Sequence, residues 1–120
     1  MTHAEQRQAD PLPRIVRSCR TAHDGDAVLE LAGEIDMDTA PQFGAALSVC
    51  LASAPRRILV DGAAVSFCDC AGLNALLSAR VRAATLDIPL LLVAPSAQLR
   101  RLMELTGAAL PVARQGGGGV

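Results

Sequence analysis

Val65-Ser66-Phe67-Cys68-Asp69-Cys70-Ala71-Gly72-Leu73-Asn74-Ala75-Leu76-Leu77 changes its period half-way along. In the first half Val65, Phe67 and Asp69 alternate with Ser66, Cys68 and Cys70, as side chains do on a strand. In the second, Leu73, Leu76 and Leu77, with Val81 beyond them, share a helical stripe. A strand therefore hands over to a helix at Asp69-Cys70-Ala71-Gly72. A helix start presents unpaired backbone N–H groups and partial positive charge. This junction is the first candidate for a functional site.

Upstream of it, Ile58-Leu59-Val60 is a short apolar run of the kind found in a central strand covered on both faces. Asp61-Gly62 reads as a turn at its end, and Arg56-Arg57 as a solvated strand entrance. Before that, Asp38 or Thr39 caps a helix that accepts Pro41 in its first turn. Phe43, Leu47, Cys50, Leu51 and Ala54 form its inner face, and Pro55 stops it. Ile15 to Cys19 and Ala27 to Ala32 are two strands joined through Thr21 to Asp26, a turn that carries Asp-Gly. His23 in that turn reads as a solvated loop residue without a partner at metal-ligand spacing. Cys19 is expected to pack in the sheet.

Downstream, the junction helix runs to about Thr85, and Pro89 to Val93 is another buried strand. Pro95-Ser96 starts a third helix with Leu99, Leu102, Met103 and Thr106 on its inner face. Gly107 fits its end, and Ala108 to Val112 add a last edge strand. The order is β-β-α-β-α-β-α with a final β. This is an α/β fold with a mixed, mainly parallel sheet of four or five strands. One folded unit spans 14–112, between a disordered lead-in (1–13) and a flexible Gly-rich tail (113–120).

Composition narrows the function classes. The 120 residues are 51% hydrophobic and 19% charged, as in one globular domain. A net charge of −1 and only two aromatic residues exclude a polyanion binder and a base-stacking platform. No apolar run is long enough to span a membrane, and the polar N-terminus lacks a secretory h-region. The expected compartment is the cytoplasm, where the four cysteines remain thiols. Cys68-x-Cys70 lacks the second ligand pair that zinc needs, so no metal is expected. The chain has no glycine-rich nucleotide loop and no Ser-His or Cys-His pair, which argues against an enzyme and against a cofactor.

The carboxyl ends of the strands gather at 33–36, 61–62 and 68–72, where such sheets meet their ligands or partners. Gly33-Glu34-Ile35-Asp36-Met37-Asp38-Thr39-Ala40 follows the pattern G-E-x-D-x-x-T-A, and a strand ends in Asp61. Phe67-Cys68-Asp69-Cys70-Ala71-Gly72-Leu73 is an altered F-x-D-S-[ST]-G-L. Leu91 to Ser96 follows L-L-V-x-P-S, and Arg101 to Gly107 a further pattern ending in L-T-G. In these motifs, over roughly residues 14 to 112, the chain resembles the domain shared by sulfate transporters and anti-sigma factor antagonists, the STAS domain.

The resemblance implies a non-enzymatic partner-switching protein. In that family the unphosphorylated antagonist binds an anti-sigma factor, a serine kinase with a GHKL-type ATP fold, and frees a sigma factor. Phosphorylation of the Ser after the Asp releases it, by adding about −1.5 to −2 charges to a packed interface. Carried onto this chain, the partner-binding surface comprises Gly33, Glu34 and Asp36 with Asp69, Cys70, Ala71, Gly72 and Asn74. Asp69 also suits a helix N-cap.

Here Cys70 stands at the phospho-acceptor position and Ala71 at the neighbouring hydroxyl, a degenerate phosphosite. Ser66 and Ser78 lie away from the helix start. The expectation is an antagonist that binds its partner and is not switched by phosphate at Cys70. Two alternatives accompany it: a thiol redox sensor through Cys70, with or without Cys68, and a subunit of a lipid-transport or stress-signalling assembly. The bland reading of Cys70, a small residue in the serine's space, outweighs the redox one, because Asp69 opposes a thiolate. The sequence leaves a homodimer open.

Overall fold

The computed structural model describes residues 15–22, 24–108 and 110–113. The lead-in at 1–13, His23 and the tail from 114 lie outside them. Eight elements follow one another: β1 (Val16–Thr21), β2 (Asp26–Ile35), α1 (Ala40–Ala52), β3 (Arg57–Cys68), α2 (Cys70–Ala84), β4 (Leu90–Val93), α3 (Ala97–Thr106) and β5 (Val112–Ala113). They form one five-stranded sheet in the order β1-β2-β3-β4-β5. Among the described residues only the β1–β2 pair is antiparallel. The final strand is shorter and later than Ala108 to Val112, and it takes in Ala113.

The strand order steps in one direction, and right-handed crossovers then place every helix on the same face. Burial shows the consequence. Ala27, Leu29, Leu31, Ile58, Val60, Leu90 and Leu92 face the helices and are buried. Their neighbours Val28, Leu59 and Leu91 point the other way and are only half-buried. The expectation that Ile58 to Val60 is covered on both faces is therefore wrong, because among the described residues this sheet has a single helical layer.

The β1–β2 turn forms around Gly25 at φ +95°, a left-handed conformation that favours glycine. At its foot, Asp26 is 2% exposed. Arg57 Nε donates to its Oδ2 at 2.9 Å, and Arg56 lies 3.2 Å from its Oδ1. The arginine pair is therefore more than a solvated entrance: it fastens the start of β3 to the start of β2.

The largest departure from the sequence reading is β3, which runs unbroken for twelve residues through Asp61-Gly62. Gly62 is buried, and a Cβ there would come within 3.2 Å of Leu99 and 3.6 Å of the Pro95 backbone. Glycine is present because α3 crosses closely, and the chain does not turn back. The register slips here instead. Glu30 and Ala32 pair with Asp61 and Ala64, so β3 carries an extra residue, and a second follows where Gly33 and Glu34 pair with Val65 and Phe67. These bulges overturn the expected alternation: Val65 and Cys68 are buried, while Ser66 and Phe67 are both exposed.

The helices largely follow their patterns. Phe43, Leu47 and Cys50 form the inner face of α1, but Ala54 lies past its end, exposed, at φ +50°. In α2 the buried residues are Gly72, Leu73, Leu76, Ala79 and Ala83. Val81 does not join that stripe and is 64% exposed. At about 100° per residue it lies roughly 140° round from Leu76. Leu99 and Met103 anchor α3, while Thr106 is exposed. No helix among the described residues is long and apolar enough to cross a membrane.

Candidate functional site

Parallel pairing of Ile35 with Cys68 brings the ends of β2 and β3 side by side, and the Asp69 N–H donates to the Ile35 carbonyl at 3.3 Å. The two segments picked out from the sequence, 33–36 and 69–74, thus form one surface at the carboxyl edge of the sheet. Asp69 is the N-cap of α2, its Oδ1 accepting from the Gly72 N–H at 2.8 Å. Cys70, Ala71 and Asn74 follow on the exposed side of the first turn. Asp61 is half-buried and accepts from the Ala63 N–H at the first bulge, within the strand.

Gly72 is buried and does not reach the surface. A Cβ there would collide with the Ile35 carbonyl oxygen and come within 3.0 Å of Cys68 Sγ. The helix start rests directly on the end of β2, and only glycine permits that approach. On the other strand, Gly33 takes φ +88° next to the second bulge, and Glu34 is exposed.

The β2–α1 loop is built differently. The Asp36 carboxylate accepts from the N–H groups of Asp38 (2.9 Å) and Thr39 (3.0 Å). Thr39 is the N-cap residue of α1, but its hydroxyl does not cap the helix. It is 2% exposed, donates to the Glu34 carbonyl at 2.8 Å and accepts from the Asp36 N–H at 3.0 Å. This network holds Met37 out at the tip, 73% exposed.

Three residues escaped the sequence reading. Met37 and Phe67, the latter 43% exposed, put apolar area beside the acidic positions. Their signal was present, an apolar residue in each motif, but alternation assigned Phe67 to a regular strand. The third is Gln98 of α3, whose Oε1 accepts from the Cys68 N–H at 2.8 Å and whose Nε2 donates to the Cys68 carbonyl at 3.1 Å. A pair formed across 30 residues leaves no local pattern.

The cysteines divide in an unexpected way. The Cys68 thiol is pushed up to about 12, by burial first, then by the Asp69 carboxylate and by Cys70. It therefore stays a thiol at neutral pH. Cys19 does not pack within the sheet. It is exposed on the edge strand, and its Sγ lies 2.8 Å from Cys50 Sγ of α1. Among the described residues no group of three or more His, Cys, Asp or Glu could hold a metal ion.

Residues 19–110 match the family described as "Mlab, STAS domain". An anti-sigma factor antagonist from Mycobacterium paratuberculosis is 32% identical, with a TM-score of 0.60 over 75% of this chain and 79% of that one. The unphosphorylated form of the antagonist SpoIIAA superposes with a TM-score of 0.69 at 20% identity, over 84% of this chain and 89% of that one. The phosphorylated form of SpoIIAA from Bacillus gives 0.65 at the same identity, over 84% and 92%. A comparison with curated protein sequences gives no match.

Proposed function

The chain belongs to the STAS domain family, and we propose that it acts by binding, as an anti-sigma factor antagonist whose partner is an anti-sigma factor of the GHKL kinase type. The docking surface is the β2–α1 loop, with Gly33, Glu34 and Asp36, set against the start of α2, with Asp69, Cys70, Ala71 and Asn74. Gly72 serves it from beneath. Met37 and Phe67 supply the apolar contact that such an interface needs at its centre. The observation that carries this reading is the joining of the two motif segments, with their acidic and apolar side chains, on one exposed edge.

On this reading the surface is not switched by phosphate. Cys70 and Ala71 occupy the exposed first turn of α2 where a hydroxyl would be needed. Phosphate on an antagonist's helix start would disrupt docking through like charge beside Asp69, and Cys70 offers no oxygen to carry it. A sensor pairing Cys70 with Cys68 fits less well, because Cys68 is buried with its thiol donating to the Asp69 carbonyl at 3.5 Å, while Cys70 is exposed.

The test is a pull-down from native lysate with this protein as bait, with phosphate and thiol oxidation mapped on the bait. The expected result is a GHKL-type kinase and an unphosphorylated bait. With that kinase and ATP, Cys70→Ser should gain one phosphate and dissociate while the native chain stays bound. Phosphate on Ser66 or Ser78 of the native chain would overturn the unswitched reading. Recovery of a lipid-transport assembly in place of a kinase would overturn the choice of partner.

A further inference from the structure

Cys19 and Cys50 are 31 residues apart in sequence and belong to different layers of the fold. Cys19 pairs in register with Leu29, which faces the helices, so its side chain points toward that same layer. There α1 passes over the edge of the sheet with Phe43, Leu47 and Cys50 on its buried face. The sulfurs meet at 2.8 Å. A disulfide needs about 2.05 Å, so the sulfurs must close by about 0.75 Å.

Access is one-sided. Cys19 is exposed on the edge strand and Cys50 is buried. Burial raises the Cys50 thiol to about 12, with Cys19 adding to the shift. An oxidant from solution therefore meets Cys19 first, and Cys50 is the residue that closes the bond.

We propose that Cys19 and Cys50 form a reversible disulfide that fastens edge strand β1 to α1, with a low-molecular-weight disulfide such as glutathione disulfide as the oxidant. The Cys19 thiolate attacks one sulfur of the oxidant, whose S–S bond breaks and releases one thiolate. Cys50 gives its proton to solvent and attacks Cys19 Sγ, and the second thiolate leaves. Two protein thiols are oxidised, one small disulfide is reduced to two thiols, and the protons lost by the cysteines are taken up by the leaving thiolates. The site is separate from the docking surface, and the proposal stands independently of the partner's identity.

The experiment equilibrates the full-length protein in glutathione buffers of increasing oxidised fraction and traps free thiols with N-ethylmaleimide. Trypsin cuts at Arg17, Arg20 and Arg56, so the two cysteines fall in separate peptides, 18–20 and 21–56, while Cys68 and Cys70 share a third. The expected product is the 18–20 peptide linked to 21–56, reversed by reductant. The expected thermal midpoint of the oxidised protein is about 10 °C or more above that of the reduced protein. Cys19→Ser, a change at an exposed position, should fold and lose both the link and the shift. Glutathione remaining on Cys19 with Cys50 free would overturn the proposal, as would a link through Cys68 or Cys70. A linked species with no rise in midpoint would overturn the fastening of β1 to α1.

Discussion

Two strand-to-helix junctions lie side by side at the carboxyl edge of this sheet, and they are held by opposite means. Between β3 and α2 there is one intervening residue, Asp69, and the helix start rests on the backbone of β2 through Gly72. Between β2 and α1 there are four, Asp36 to Thr39, held by side-chain hydrogen bonds around a buried hydroxyl. The first junction is fixed by what is absent, a Cβ. The second is fixed by what is present, a carboxylate and a hydroxyl in the right places. On the proposed reading, a partner meeting this edge would find one rigid step and one loop whose shape depends on four or five hydrogen bonds.

The sharpest way to break this contrast is Gly72→Ala. The new methyl group meets a carbonyl that belongs to another strand and cannot rotate away, so a loss of about 3 kcal/mol or more is expected. Urea unfolding followed by circular dichroism reads it as a lower midpoint at unchanged slope. Thr39→Val, which keeps the shape and removes the hydroxyl, leaves the Asp36 N–H and the Glu34 carbonyl short of a partner. About 2 kcal/mol is expected, and amide exchange should speed up at Asp36 in the loop while Gly72 stays protected.

Asp69→Ala removes only the cap and should cost about 1 kcal/mol, with Asp69→Asn recovering most of it. If the carboxylate also meets the partner, Asn will restore stability without restoring binding, which separates the two roles in one experiment. Met37→Ser should leave stability within about 0.5 kcal/mol. On the proposed surface it weakens partner capture, measured by titration with the recovered kinase. Equal capture by the two proteins would remove the loop tip from the interface.

The same contrast explains how much could be read from the sequence. Asp69 to Leu77 announced its helix through a cap residue and a 3.6 period, both local signals, and the structure has the helix where they put it. Element order, the antiparallel start and the parallel remainder were legible for the same reason. The course of β3 was not. Asp61-Gly62 has the chemistry of a turn, yet the glycine answers to Leu99 and Pro95, more than thirty residues downstream. The bulges that turn Ser66 and Phe67 both outward are set by pairing with β2, which no alternation within β3 can announce. Nor could spacing distinguish the cysteine pairs. Cys68 and Cys70, two residues apart, differ in exposure, one buried and one exposed, whereas Cys19 and Cys50, 31 residues apart, meet where the edge strand passes under a helix.

Gln98 has a consequence for solubility. β4 pairs with β3 only as far as Asp61, so the outer rim of the longer strand continues alone for seven more residues. Such a rim is a template on which a strand of another molecule could add. Here the Ser96 N–H takes the Gly62 carbonyl at 3.1 Å, and the Gln98 side chain takes both polar groups of Cys68. An amide side chain thus imitates the neighbour that the sheet lacks. It shields the overhanging strand from runaway association while leaving its tip, beside Phe67 and Asp69, open to the proposed partner.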